Sequence, residues 1–453
     1  MCLPICGSHA FAQKAESYAV FDRYTYTLTF KHDTQKPYGA FALNEGEDAP
    51  GWYNPDNYGD NRNYIQKVVF DASFANARTT SCYKWFCGCK HLKNIEGIEY
   101  LNTTNVTNMS DMFNGCGYLE TLDVSNFNTQ NVTDMSGMFY NCYELTRLNL
   151  ASFDTQNVTD MRRMFSECYE LRILNLASFD TQNVTDMSEM FNNCYKLTTL
   201  DLSNFDTKNV TNMKWMFSTC SALTTLDVSN FDTKNVTDMS EMFMSCRALT
   251  TLDVSNFDTQ NVMNMGDMFC GCPLTTLDVS NFDTKNVTNM GGMFSGCSAL
   301  KSLDLSSFNT KNVTDMRYMF YGCCALKTLD LSNFDTQNVT DMSSMFEDCE
   351  ALTTIYASEK YVTTACTSDD NMFWGCTNLV GAVPYDQFKV GKKKANYTTG
   401  YFTYKASTGI DAPTVSDDTA AEYYDLQGRR LNAPQKGVNI VKRGKKTTKM
   451  LVK

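Results

Sequence analysis

"LTTLDVSNFDTKNVTDMSEMFMSC", residues 223–246, changes its hydrophobic period halfway along. In Leu223-x-x-Leu226-x-Val228 the apolar residues at 226 and 228 alternate, as on a strand with one buried face and Asp227 turned the other way. In Val236-x-x-Met239-x-x-Met242-Phe243-x-x-Cys246 the spacing becomes three and four, which predicts one apolar stripe on a short helix. Phe231 lies between the halves as a plug. Asn235 or Thr237 stands where a helix cap belongs, with Asp238 in the first turn.

The same wording runs along the chain. Met-Phe-x-x-Cys occurs in full at Met112, Met138, Met164, Met190, Met216, Met242, Met268, Met293, Met319 and Met345, at a step of 26 residues except between Met268 and Met293, where one is missing. Imperfect copies at Trp85-Phe86 with Cys89 and at Met372-Phe373 with Cys376 flank the array as expected caps. A fixed period of this length means units that bury their faces only against neighbours. The fold class expected is an α/β solenoid of leucine-rich-repeat type: a short parallel strand and a short helix per 26-residue turn, with a small β-rich N-terminal cap.

The wording "LDLSNFDTxNVTDMSxMFxxCxxL" resembles the BspA-like leucine-rich-repeat surface proteins, a repeat also widespread as a Mycoplasma-type lipoprotein repeat of unknown function, over roughly residues 81 to 380. The resemblance implies an exported surface protein that binds other molecules or cells. Expected domains are a signal-peptide remnant over 1–12, ending at Ala10-Phe11-Ala12, and a β-rich cap over 13–80 with strands at 24–30 and 64–74. The repeats then fill 81–380, a cap or hairpin 381–407, a linker 408–420 and a basic segment 421–453. Residues 433–453 hold seven Lys or Arg and no acid. This tail resembles the sorting segments of exported Bacteroidetes-type proteins through Tyr424, Asp425, Gly428, Arg429, Gly437, Ile440, Val441, Gly444 and Lys445, which implies contact with export machinery. Its other reading is a basic β-hairpin with a structural role.

Composition narrows the partners. With 453 residues, 43% hydrophobic and 20% charged, the chain is not disordered; a net charge of -12, from 51 acidic and 39 basic residues, argues against a nucleic-acid partner. No run of 18 apolar residues exists, so no membrane-spanning helix is expected. Of 19 cysteines, twelve share one repeat position, from Cys89 and Cys116 to Cys349 and Cys376. Equivalent thiols on successive turns point the same way, which suits a buried row of small hydrophobic groups better than disulfides. Off that row, Cys87, Cys270 and Cys324 leave local bridges open. A zinc reading of Cys82, Cys87, Cys89 and His91 lacks paired C-x-x-C elements.

On the expected sheet face a polar ladder runs through Asp201, Asp227, Asp253, Asp278, Asp304 and Asp330, beside Thr199, Thr225, Thr251 and Thr276. Like carboxylates at strand spacing repel one another and could attract calcium or a basic partner; hydration and backbone hydrogen bonds are the bland alternative. Arg147, Arg172, Ile173, Lys301, Lys327 and Tyr356 interrupt these rows, which makes them candidate partner-binding residues. Tyr140, Trp215 and Tyr318 add aromatic bulk on the expected helical side. Nine Asn-Val-Thr sequons, from Asn105 to Asn338, read as helix starts rather than glycan sites. Three histidines, and no nucleophile, zinc-protease or phosphate-loop motif, point away from an enzyme, and no cofactor is implied. The function expected is a secreted or cell-surface bacterial module, of Bacteroidetes type, for adhesion or for binding a protein or surface glycan. A structural spacer and a calcium-dependent carbohydrate binder are the alternatives.

Overall fold

Two residues in each repeat hold left-handed backbone, and they decide how it folds. In the unit quoted above these are Glu241 and Ser245, both at φ 58°. An α-helix needs right-handed φ and ψ throughout, so it cannot pass through either position. The computed structural model, which describes residues 14–44, 47–53, 61–407, 422–424, 429–431, 435, 437–443 and 446–452, shows a run of tight turns there instead. The amides of Met242, Met244 and Cys246 donate back to the carbonyls of Met239, Glu241 and Phe243, each at 3.2–3.3 Å. Those of Met239, Glu241, Phe243 and Ser245 donate to Asn264, Gly266, Met268 and Cys270 in the next turn, at 2.6–3.1 Å. Ser240 N–H reaches Asp238 Oδ1 at 2.8 Å, so every amide from 239 to 246 has a partner.

The strand-and-helix leucine-rich-repeat solenoid is therefore corrected, and the BspA-like resemblance with it. Among the described residues there is no α-helix; the helical pieces are 3-10 turns of three to five residues, at Asn61–Asn63, Ala72–Asn76, Ile98–Tyr100 and Lys392–Lys394. Extended strands pair in open sheets of five, three, four and three strands, and outside them one isolated parallel bridge joins each turn to the next from Ser81 to Ser368. Met239, Met242, Phe243 and Cys246 are nonetheless fully buried. Residues three apart share a face in successive i to i+3 turns as they do on a helix, so spacing alone could not tell the two apart.

The first sheet holds β1 (Glu16–Asp22), β2 (Thr27–Asp33), β3 (Phe41–Ala42), β4 (Lys67–Phe70) and β5 (Asn94–Glu96), in the order β3-β1-β2-β4-β5. β2 begins later than expected because Tyr26 turns the chain at φ 53°, with Tyr24 N–H held by Asp22 Oδ1 at 2.8 Å. Parallel pairing of β2 to β4 and of β4 to β5 carries this cap into the first repeats. Trp85 fills the Met position there: its Nε1 donates to Asn44 Oδ1 at 2.6 Å, its carbonyl accepts from Trp52 Nε1 at 2.6 Å, and its ring stacks 5.1 Å from Phe30.

In the repeats, β6 (Thr121–Leu122), β7 (Arg147–Leu148) and β8 (Ile173–Leu174) pair in parallel, as do β9 (Thr328–Leu331) and β10 (Thr354–Ala357), to which the terminal cap adds β11 (Phe402–Tyr404). Inside, one phenylalanine per turn stacks on the next from Phe113 to Phe373, at centroid distances of 5.4–6.0 Å, with Phe86 tilted against Phe113 at the N-terminal end. Side-chain ladders join the turns. Asn230 Nδ2 donates to the carbonyls of Leu202 and Phe205, and Asn235 Nδ2 to that of Lys208 at 2.7 Å. Thr237 Oγ1 donates to Thr211 O at 3.2 Å. The expected caps Asn235 and Thr237 thus tie one turn to the turn before it, and the sequon nitrogen is engaged in doing so.

The 17 described cysteines are free thiols. On the shared row each Sγ from Cys116 to Cys376 donates to a phenylalanine carbonyl of the preceding turn, as Cys246 does to Phe217 at 3.2 Å. Burial pushes thiols such as Cys168 and Cys220 up to about 12.

Residues Thr408–Lys453 form a separate compact unit. Its described part is an antiparallel sheet of β12 (Glu422–Tyr424), β13 (Arg430–Leu431), β14 (Gly437–Arg443) and β15 (Lys446–Val452), ordered β13-β12-β14-β15. The sorting-segment resemblance is corrected to this sheet; Asp425, Gly428, Gly444 and Lys445 lie outside the described residues. So do the expected leader over 1–12 and the linker over 408–420. Among the described residues no helix is long and apolar enough to cross a membrane.

Candidate binding face

Each repeat sends Leu226-type and Val228-type side chains inward and leaves Thr225-type and Asp227-type side chains outside. Stacked turns convert these into rows. At the N-terminal end the rows carry Arg147 and Ile173, direct register partners in β7 and β8, with Ile173 69% exposed. At the C-terminal end Asp330 in β9 lies opposite Tyr356 in β10.

Between β8 and β9 the strand row opens. Among the described residues no backbone hydrogen bond joins Leu226, Leu252 and Leu277 across the turns. These leucines are 7–9% exposed, close to the 5–8% of Leu122, Leu148 and Leu174 in the paired β6–β8, whereas Leu329 in β9 and Ile355 in β10 are at 1% and 0%. An open groove of about 910 Å³ lies there, lined by Thr225, Asp227, Thr251, Asp253, Thr276 and Asp278, with leucines at its floor.

The groove is negative. Asp227, Asp253, Asp278 and Asp304 each accept the amide of the serine two residues on, at 2.9 Å through Oδ1. Hydrogen bonds from Ser255 hold the Asp253 carboxyl below its ordinary range, although Asp278 and Asp227 on the adjacent turns push it up. Bonds from Ser229 and Ser280 do the same for Asp227 and Asp278. The carboxylates of Asp227, Asp253 and Asp278 therefore stay charged at neutral and mildly acidic pH. Among the described residues no group of three or more His, Cys, Asp or Glu is gathered to hold a metal ion, since this row supplies one carboxylate per turn.

The remaining candidates fall in different places. Lys301 and Lys327 are exposed two residues before the inward leucine-type position, flanking the face. Arg172 pairs with Glu170 at 3.7 Å. Asp201 shares the row and accepts Ser203 N–H at 3.0 Å. Asp330 is engaged by Lys405 of the terminal cap, whose Nζ also sits 5.5 Å over the Tyr356 ring. No repeat signal marks Lys405, which lies beyond the array. Tyr140, Trp215 and Tyr318 belong to the turn-built segment, not to a helix: Tyr140 O–H meets Glu167 at 3.4 Å, Trp215 (φ 58°) carries Lys214 over its ring at 5.1 Å, and Tyr318 (φ 56°) packs against Tyr321. None of the three lines the groove.

A smaller cavity of about 340 Å³ on that segment is lined by Asp111, Arg162, Arg163, Asp186 and Glu189 among others. Beside Arg162, at 3.3 Å, burial raises the Asp160 carboxyl to about 6, with Asp134 and Asp186 of the adjacent turns adding to the rise. The folded chain thus binds this proton more tightly than the unfolded chain, so stability falls as pH rises from about 4 to about 6. Asp160→Asn is expected to flatten that slope and to raise the melting temperature at pH 7 but not at pH 3.5, as thermal unfolding across pH would show.

These features define a class: a repeat protein of hydrogen-bonded stacked turns with one open, acidic strand face. The chain belongs to the family described as "Mycoplasma protein of unknown function, DUF285", whose matches cover residues 80–175, 169–276, 243–356 and 273–388. Among solved structures, a leucine-rich repeat protein from Eubacterium ventriosum ATCC 27560 is similar at 15% identity over 80% of this chain and 93% of that chain, with a TM-score of 0.36. That score gives the leucine-rich-repeat reading no support. No curated protein matches.

Proposed function

We propose that this chain is a non-catalytic binding module of an exported or surface-exposed bacterial protein, and that it holds a protein partner on the strand face between Asp201 and Asp304. The observation that carries this reading is the opening of the strand row into a groove whose walls are repeated Thr and Asp and whose floor is leucine. Concave sites that combine an apolar floor with a few ordered polar groups are the usual places where ligands are held. Arg147 and Ile173, where the rows change wording, would add selectivity at one end. Chemistry of the acid-base kind needs unlike groups converging on one point, whereas this face spreads like groups along a line.

The test is an array of immobilised bacterial-surface and extracellular proteins probed with the full chain and with a Thr251→Arg/Thr276→Arg variant. Both threonines are exposed on the groove wall, so the longer side chains obstruct the face without entering the core. Binding to at least one array protein should weaken by about tenfold or more, equivalent to about 1.4 kcal/mol. Array binding that the variant leaves intact would place the interaction elsewhere and overturn the assignment to this face.

A further inference from the structure

We infer that the groove takes an extended basic polypeptide carrying a lysine or arginine at every third residue. This rests on the strand-face reading above and names the partner's chemistry. The occupant follows from charge, from spacing and from a lysine the chain already seats on the same row.

Charge comes first. Asp201, Asp227, Asp253, Asp278 and Asp304 run along the face without an intervening basic residue in the row, and their Oδ1 atoms are taken by backbone amides. Among the described residues no lysine or arginine pairs with Asp201, Asp227, Asp253 or Asp278, whose hydrogen bonds come from serines. The row therefore presents one outward acceptor per turn to a cationic partner.

Lys405 shows the match within this chain. It follows β11, its amide donates to Ala357 O at 2.9 Å, and its Nζ reaches Asp330 Oδ2, the next carboxylate of the row. The aromatic face of Tyr356 lies beneath the ammonium at 5.5 Å. An extended segment beside the row thus delivers a lysine to a carboxylate of this type.

Spacing sets the pattern. Parallel bridges through Asn212, Asp238, Asn264 and Asn289 hold these turns in register, with a repeat of about 4.8 Å at the bridges, so aspartates two turns apart, such as Asp201, Asp253 and Asp304, lie on the order of 10 Å apart. Three residues of an extended or polyproline-II chain cover about 9–10 Å, and in polyproline II residues i, i+3 and i+6 share one side. Two residues cover about 6.6 Å, which falls between one step and two. A period of three is the one that keeps register along the groove. A polyproline-II chain also arrives extended, which lowers the ordering cost of binding.

The protein supplies its own control for a charge deletion. In two earlier repeats the Asp position is Asn149 or Asn175, and each Oδ1 accepts the amide two residues on, at 3.2 and 3.0 Å, as the aspartates do. Asp227→Asn, Asp253→Asn, Asp278→Asn and Asp304→Asn should therefore remove charge while leaving the local turn intact.

The experiment uses the full chain and two peptides of equal composition: one of six Lys-Pro-Pro units, the other with its lysines in one block followed by the prolines. Fluorescence anisotropy should give a Kd about tenfold lower for the periodic peptide, and the fourfold Asn variant should raise it by about tenfold or more. Thr251→Arg, which adds opposing charge without touching a carboxylate, should raise it as well. Equal affinity for the two peptides, or a Kd that none of these variants moves, overturns the inference. If array proteins are captured through the groove while the periodic peptide is not, the inference fails and the strand-face reading stands. If the peptide binds as described while no array protein does, the partner class is supported and the folded-protein partner is not.

Discussion

Phe243→Ala is expected to lower the unfolding free energy by about 3–5 kcal/mol, measured by urea denaturation. The ring is fully buried and lies between Phe217 and Phe269, at 5.9 and 5.8 Å, so truncation removes stacking on both sides and leaves a void in a continuous core. Collapse around the void is limited because each neighbouring turn is fixed by its own inter-turn hydrogen bonds. Contacts in this array pass mainly between adjacent turns, so hydrogen exchange should accelerate first around residues 217–269 and only later near the caps. Phe243→Leu should cost clearly less, since most of the volume remains. An alanine variant within about 1 kcal/mol of the parent would contradict the idea that the ring column holds the turns together.

Thr233→Val should be nearly as costly, at about 2–4 kcal/mol, although the substituted side chain has almost the same shape. Thr233 is 1% exposed, and its hydroxyl donates to Asp258 O at 3.0 Å and accepts Asp258 N–H at 2.8 Å. Valine leaves that partly buried carbonyl without this donor and exchanges a polar atom for a methyl among the turn's polar groups. The equivalent Thr259 makes the same two bonds to Asp283, donating to its carbonyl at 3.0 Å and accepting its N–H at 2.8 Å, so Thr259→Val should cost about the same. Serine at either position keeps the hydroxyl and should cost less than about 1 kcal/mol. Parity between the valine and serine variants would show that methyl packing, rather than the hydroxyl, sets the requirement for threonine.

Both effects arise from side chains that link turns, and that is where the sequence pattern was hardest to interpret. The stripe Met239, Met242, Phe243 and Cys246 marks burial equally well for a helix and for successive tight turns. A signal that separates them is present: glycine recurs immediately before the row cysteine, at Gly88, Gly115, Gly271, Gly296, Gly322 and Gly375, all with positive φ. Intermittent glycine at one fixed position, with Asn and Asp among its substitutes, indicates left-handed backbone. The other repeats place Glu167, Thr219 and Ser245 there, which hides the requirement in the unit quoted at the outset.

The candidate face was partly legible for a different reason. The period of two places Asp227 and Thr225 outside whatever follows the strand, so the Asp row needs only the alternation to be seen. Arg147 and Ile173 stand out as departures from that row, and register pairing brings them side by side. Lys405 could not be found this way: it joins Asp330 from 75 residues along the chain, through parallel pairing of β11 with β10. The cavity beside Asp160 likewise depends on charges from several turns.

By itself, then, the sequence determined the 26-residue repeat, the identity of the buried residues and the row of outward carboxylates, because each follows from period and polarity within one unit. Only the tertiary structure decided that the second half of the unit is a run of turns rather than a helix, and that the strand row opens between β8 and β9. Both depend on where backbone amides find their acceptors. Half of those between 239 and 246 lie in the neighbouring turn, beyond the reach of any pattern read along a single repeat.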